Sequence, residues 1–110
     1  MTIEAIIIST TTDSEEIARH LAKRSIDLNL AACAQIIPGI ISTYSWEDQI
    51  ETSSEIIIQF KTRFDLSAQL MAMLRQEHNY ETPEILQIRI DQMDPDYEKW
   101  LTSVTARHLS

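Results

Sequence analysis

The stretch that decides the fold is AACAQIIPGIISTYSWEDQIETSSEIIIQFKT, residues 31–62. Towards its end, Ile56, Ile58 and Phe60 occupy every second position, the pattern of a strand with one buried face. Its first part is also rich in β-branched and aromatic residues and is interrupted at Pro38-Gly39. The polar Glu47-Asp48-Gln49 lies between the two parts, and aspartate tolerates the left-handed backbone of a tight turn. We therefore predict a β-hairpin with strands over about 31–46 and 50–62.

The segments on either side of this hairpin complete a short series of elements. Residues 3–9 predict a buried strand, and Asp13 with Glu16 predicts the capped start of a helix that ends near Asn29. After the hairpin, the apolar spacing predicts a helix over 67–78 and a strand over 84–90. Asp94-Pro95 then predicts the start of a C-terminal helix.

The order β-α-β-β-α-β plus a C-terminal helix predicts an α+β fold. It is the ferredoxin-like split βαβ sandwich, in which two helices cover one face of a four-stranded antiparallel sheet. A chain of 110 residues is long enough for one domain and too short for two. We therefore predict a single domain over residues 1–110.

Composition excludes several classes of function. Seventeen acidic against nine basic residues give a net charge of −8, which disfavours nucleic acids and anionic membranes as partners. The single glycine, Gly39, excludes the glycine-rich phosphate loops of nucleotide-binding folds. The single cysteine, Cys33, cannot form an internal disulfide, which predicts a reducing compartment. No HExxH or CxxC motif and no convincing catalytic triad is present, so we expect no enzyme activity.

The length of the hairpin predicts self-association. A strand of about 14 residues spans roughly 46 Å, whereas a globule of this size is about 34 Å across. The hairpin must therefore protrude or bend, and it carries Tyr44, Trp46 and Ile50. Exposed apolar strands with free edges are normally covered by other chains. We predict a homo-oligomer, with Tyr44 and Trp46 packing at its interface and a stacking platform as the alternative role of these two rings.

Several short motifs resemble one family. They are Ala31-Ala32-Cys33-Ala34, Ile37-Pro38-Gly39, Ser42 to Glu47, Lys61-Thr62, His78 to Glu84 and Tyr97 to Leu101, in this order. The set is similar to the signature of the CutA divalent-cation tolerance proteins. The sequence departs from that pattern at Asn79, where the family usually has proline, and at Ser9 and Glu77, where copper-binding members can offer cysteine and histidine.

This resemblance implies further properties of the protein. It implies a compact homotrimer joined by the long hairpin, with Trp100 added to Tyr44 and Trp46 at the interface. It also implies a cytoplasmic location and a role in tolerance of copper or other divalent ions. The trimer resembles the PII signalling proteins in architecture, so ligand sensing is an alternative function, and scaffolding is a third.

Three residues are candidate metal ligands. Thiolate sulfur suits Cu(I) and Zn(II), so Cys33 is one candidate, with a small buried apolar residue as the alternative interpretation. His78 with Glu77 offers a mixed nitrogen and oxygen set, although a histidine at a helix end also interacts favourably with the helix dipole. His20 and His108 stand alone, and we predict that both lie at the surface.

A second candidate site follows from assembly. Glu55 and Lys61 share one face of a strand, and they are either solvated or buried between subunits. Buried charges need partners. We predict that Glu55, Lys61, Tyr80 and Pro83 line a pocket between subunits that holds a small ligand.

Overall fold

A computed structural model describes residues 3–106 and has the predicted order of elements. The strands are β1 (Ala5–Thr12), β2 (Cys33–Trp46), β3 (Gln49–Arg63) and β4 (Ile85–Ile90). The helices are α1 (Glu15–Asp27), α2 (Ser67–Glu77) and α3 (Pro95–Ala106), and a 3-10 turn, Phe64–Leu66, precedes α2. His108 lies outside the described residues. Among the described helices, none is both long and apolar enough to cross a membrane.

The four strands form one antiparallel sheet in the order β2-β3-β1-β4. This order confirms the predicted α+β, ferredoxin-like arrangement. The central strands β3 and β1 are paired on both sides, whereas β2 and β4 are edges in the single chain. The 14-residue β2 is therefore the longer of the two edges.

The core lies between one face of the sheet and helices α1 and α2. Alternate residues of β1 and β3 point into it, as period-two side-chain geometry requires. Its fully buried large residues are Ile6, Ile8, Leu21, Ile58, Phe60, Leu70 and Leu74. The second face is partly covered by α3, whose Leu101 is buried and whose Tyr97 contacts Cys33.

The first strand and helix differ in their bounds from the sequence prediction. β1 continues to Thr12 because Thr11 and Thr12 pair with Ile57 and Ile56 of β3. The helix therefore begins later, and its cap is Ser14, whose Oγ accepts a hydrogen bond from the Ile17 amide at 3.1 Å. The prediction of Asp13 as the cap is wrong, although Asn29 has the predicted left-handed backbone.

The hairpin is long and contains one irregularity. Pro38 and Gly39 together stand opposite Ile56, so β2 has a bulge between Ile37 and Ile40. Gly39 has φ +74°, which glycine adopts without steric cost. Because of the extra residue, Tyr44 and Trp46 lie on the same face as Glu55, and Ile41 lies on the other.

The tip of the hairpin is a two-residue turn. Glu47 and Asp48 both have positive φ, 51° and 64°, as a turn of this kind requires. The hairpin extends the molecule to 49 Å along its longest axis, against 25 and 21 Å along the others. The predicted protrusion is therefore present in the chain.

The core predicts a contrast between two positions on α1. We expect Leu21→Ala to lower the free energy of unfolding by about 2–5 kcal/mol, because Leu21 is fully buried against the sheet. Ile26→Ala on the same helix is the control, and its cost should stay below about 1 kcal/mol because Ile26 is exposed. Urea denaturation at one protein concentration measures both, and equal costs would contradict this description of the core.

Candidate functional site

A cleft of about 650 Å³ lies between the hairpin and the loop that joins α2 to β4. The hairpin and the end of β1 form one wall, and the loop forms the other. Its volume is in the range of small-molecule sites. The lining residues are Thr11, Ser42, Thr43, Tyr44, Trp46, Glu55, Asn79, Tyr80, Glu81, Thr82 and Glu84.

One short hydrogen bond joins the two walls of this cleft. The Tyr80 hydroxyl donates to Oε2 of Glu55 at 2.5 Å, and Glu55 is only 9% exposed. Burial, followed by the bond to Glu55, raises the pKa of Tyr80 well above its usual range, so the phenol keeps its proton at neutral pH. The carboxylate of Glu55 therefore faces a neutral donor, and it keeps its capacity to accept further hydrogen bonds.

His78 fixes the loop to β1. The Tyr80 amide donates to Nδ1 of His78 at 3.0 Å, so that nitrogen carries no proton. Nε2 therefore carries the proton, and it lies 2.9 Å from the Thr11 carbonyl oxygen and 3.2 Å from Oγ1 of Thr10. Both ring nitrogens are thus engaged in a neutral imidazole, and all of their hydrogen-bond partners lie outside α2.

The three predicted metal ligands, His78, Glu77 and Cys33, contact different residues. Glu77 accepts from His20 at 2.6 Å and from Arg24 at 3.2 Å, and these contacts lower its pKa. The Cys33 sulfur lies 3.4 Å from the Tyr97 hydroxyl oxygen. This contact, together with burial, raises the pKa of Tyr97 to about 12.

The positions of these ligands along the sheet are also different. Cys33 is level with Ile7 of β1, because both pair with Lys61, whereas His78 contacts Thr10 and Thr11. Three or four residues of strand separate these levels by roughly 10–13 Å. Within residues 3–106, no three His, Cys, Asp or Glu side chains lie close enough to hold a metal ion together. The single chain does not bring His78, Glu77 and Cys33 to one place.

The predicted ligand pocket is partly assembled in one chain. Glu55 and Tyr80 meet, and Pro83 lies in the loop between two lining residues, Thr82 and Glu84. Lys61 stands six positions from Glu55 along β3, roughly 20 Å away, where it hydrogen-bonds Gln35. Lys61 therefore does not reach the cleft of its own chain.

The predicted interface residues occupy two surfaces. Tyr44 and Trp46 lie near the hairpin tip and also line the cleft. Trp100 is on α3, where its ring packs on Tyr97 with 5.4 Å between ring centroids. All three are exposed in the single chain.

The sequence pattern did not reveal Thr82 and Glu84 as parts of the loop wall, and it suggested Glu81 only as a further oxygen ligand beside His78 and Glu77. Their position depends on the bonds of His78 to a strand 67 residues earlier in the chain, which no local pattern shows. The hairpin wall did have a signal in the sequence, the bulge. An extra residue at Pro38-Gly39 turns Tyr44 and Trp46 to the side of Glu55.

The sequence profile of the CutA1 divalent ion tolerance protein family matches residues 6–104. The chain belongs to this family. A divalent-cation tolerance protein CutA from Yersinia pestis (strain Pestoides F) is 35% identical over 99 residues, which cover 90% of this chain and 83% of the relative.

Solved structures of CutA1 proteins have the same fold. CutA1 from Oryza sativa superposes with a TM-score of 0.91 at 34% identity, covering 94% of this chain and 95% of that one. CutA1 from Ehrlichia chaffeensis superposes with a TM-score of 0.90 at 30% identity, covering 96% and 98%. These likenesses extend over both the hairpin and the helices.

Asn79, one of the three positions that depart from the CutA signature, has a defined role in this chain. Its Oδ1 accepts from the Thr12 hydroxyl at 2.6 Å, and its Nδ2 donates to Asp13 at 2.8 Å. A proline side chain has no polar atoms and makes neither bond. In this CutA1-family chain, Asn79 and His78 therefore attach the loop to β1 and the turn after it.

The bonds of His78 predict a pH dependence. Burial lowers the pKa of His78 from its ordinary value of 6.5, so below that value the unfolded chain takes up the proton first. The stabilisation by neutral His78 is complete above pH 6.5 and is lost as the pH falls towards the folded-state pKa. We expect the stability advantage of the wild type over His78→Gln, measured by urea denaturation, to be smaller at pH 5 than at pH 7.5.

Asn79→Ala is the matched control for this experiment. It breaks two bonds of the same loop but removes no titrating group. Its cost relative to the wild type should therefore depend much less on pH. If the stability advantage of the wild type over His78→Gln grew as the pH fell, the assignment of a neutral His78 would be contradicted.

Proposed function

We propose that this protein acts in divalent-cation tolerance as a homotrimer whose copies are joined by the long hairpin. Family membership supports the tolerance function. The observation that carries the assembly is the apolar surface of the hairpin, on which Ile50 is 81% exposed, Ile41 76% and Trp46 56%. Leaving these side chains in water costs free energy that burial against another copy recovers.

The geometry of the edge strand supports pairing between copies. β2 is an edge of 14 residues, and within residues 3–106 no strand pairs with its outer backbone groups. Long edges of this kind form hydrogen bonds with strands of other chains. On the second face of the sheet, Leu86 and Ile88 of β4 are also exposed. We propose Tyr44, Trp46 and Trp100 as interface residues of the trimer.

The proposed function includes the identity of the ion and the location of the protein in the cell. The family description supports a divalent ion, and the resemblance of the sequence motifs supports copper as one such ion. We propose the cytoplasm as the location, supported by the single Cys33 and its lack of an internal disulfide partner.

A second function is favoured by the cleft. A concave site with aromatic walls and a buried carboxylate has the features of a small-molecule site. We propose that the protein also binds a small ligand there, with Glu55 and Tyr80 as contacts, in keeping with ligand sensing. Lys61 and Pro83 remain proposed contributors, with Lys61 able to contribute only from another copy.

Assembly is tested at Ile50. We expect Ile50→Asp to shift the protein from trimer to smaller species in native mass spectrometry, because a charge replaces an exposed apolar contact. Gln76→Glu is the control, since it adds the same charge at an exposed, already polar position on α2, away from the hairpin. A wild-type monomer, or equal dissociation of both variants, would contradict the proposed interface.

Metal uptake is tested at His78. We expect wild type and His78→Gln to take up the same number of Cu(II) or Zn(II) ions per chain, because both imidazole nitrogens already have hydrogen-bond partners. Native mass spectrometry with one equivalent of either ion measures the ratio. Loss of one ion per chain in the variant would instead make His78 a ligand and would contradict the bonding described here.

A further inference from the structure

The walls of the cleft combine aromatic rings with negative charge. Tyr44, Trp46 and Tyr80 supply the rings, and Glu55, Glu81 and Glu84 supply the carboxylates. Among the described residues that line it, there is no lysine, arginine or histidine. The chain as a whole has a net charge of −8, which adds to the negative potential of the cleft.

Glu55 is the most informative of the three carboxylates. It is 9% exposed, and its hydrogen-bond donor is the neutral phenol of Tyr80. No ion pair between residues in the described range 3–106 includes Glu55. A buried carboxylate without a countercharge is costly, and a cation placed beside it recovers part of that cost.

The layout of the cleft distinguishes an organic cation from a metal ion. A divalent metal ion needs several ligand atoms within about 2–2.6 Å of one point. The described carboxylates do not form such a group of three, and they surround a space of about 650 Å³. Aromatic faces attract organic ammonium groups and also cover apolar carbon, which a hydrated metal ion does not offer.

We propose that the cleft binds a small organic ammonium ion with an apolar body, whose charge is held by Glu55 and whose body packs on Tyr44 and Trp46. The proposal rests on the ligand-binding function proposed above and names the class of its ligand. All the residues it uses belong to one chain. The Tyr80 hydroxyl occupies one carboxylate oxygen and leaves lone pairs of the carboxylate for the ammonium group.

Three probes that differ in charge test this proposal. Phenethylamine carries a cation, 2-phenylethanol is neutral, and 3-phenylpropanoate is an anion on a similar body. In calorimetric titration of the full chain, we expect the Kd of the amine to be at least about tenfold lower than that of the alcohol. We expect no binding of the acid. Glu55→Gln keeps the shape of the side chain and an oxygen that accepts the hydrogen bond of Tyr80. This variant should raise the Kd of the amine by about tenfold or more.

Glu51→Gln is the matched control. It makes the same change in net charge on the same strand at an exposed position that does not line the cleft, so amine binding should be unchanged. Equal binding of amine and alcohol, or equal effects of the two variants, would overturn the cation proposal while leaving a ligand-binding cleft. Absence of binding by all three probes would overturn the ligand-binding function as well. Stoichiometric displacement of the amine by Zn(II) or Cu(II) would overturn the organic-cation proposal in favour of a metal site.

Discussion

The pairing of β2 with β3 is the constraint on which the rest of the structure depends. Up to Ile37 it places alternate residues of both strands in the core, and beyond the bulge it continues into a hairpin with little core beneath it. One ladder therefore stabilises the sheet and also exposes the apolar surface that we assign to assembly. The same bulge sets Tyr44 and Trp46 beside Glu55, so the cleft and the proposed interface share one structural cause.

The loop after α2 converts this scaffold into a concave site. His78 and Asn79 attach it to β1 and the following turn, and Tyr80 then reaches across to Glu55. Each of these bonds lies within one chain, so the cleft is formed by contacts that need no second copy. Of the predicted metal ligands, His78 takes part in these contacts, Glu77 pairs with His20 and Arg24, and Cys33 lies beside Tyr97.

Much of the fold was predictable because its signals are local. The alternation of Ile56, Ile58 and Phe60 and the start of α3 at Asp94-Pro95 each depend on residues close in sequence. The site was less predictable because its contacts are distant: Tyr80 and Glu55 were expected together, but the bonds of His78 were not. Lys61 shows the limit of face periodicity, since two residues on one face of a strand still lie far apart when six positions separate them. The cap at Ser14 was missed because long-range pairing extended β1 through three threonines, Thr10 to Thr12.

The bulge at Pro38-Gly39 also determines where this gene product can lose a residue without turning the rest of β2 to its other face. An added methyl group on Gly39 would meet no atom within 4 Å, so the local constraint is the backbone angle rather than space. Deleting either residue would leave one residue opposite Ile56 and restore simple one-to-one pairing, with Ile37 still paired to Ile57 and Ile40 to Glu55. Tyr44 and Trp46 would therefore stay on the face of Glu55. A single-codon deletion between Ile40 and Trp46 would instead move the residues that follow it to the opposite face of the hairpin and rearrange both surfaces at once.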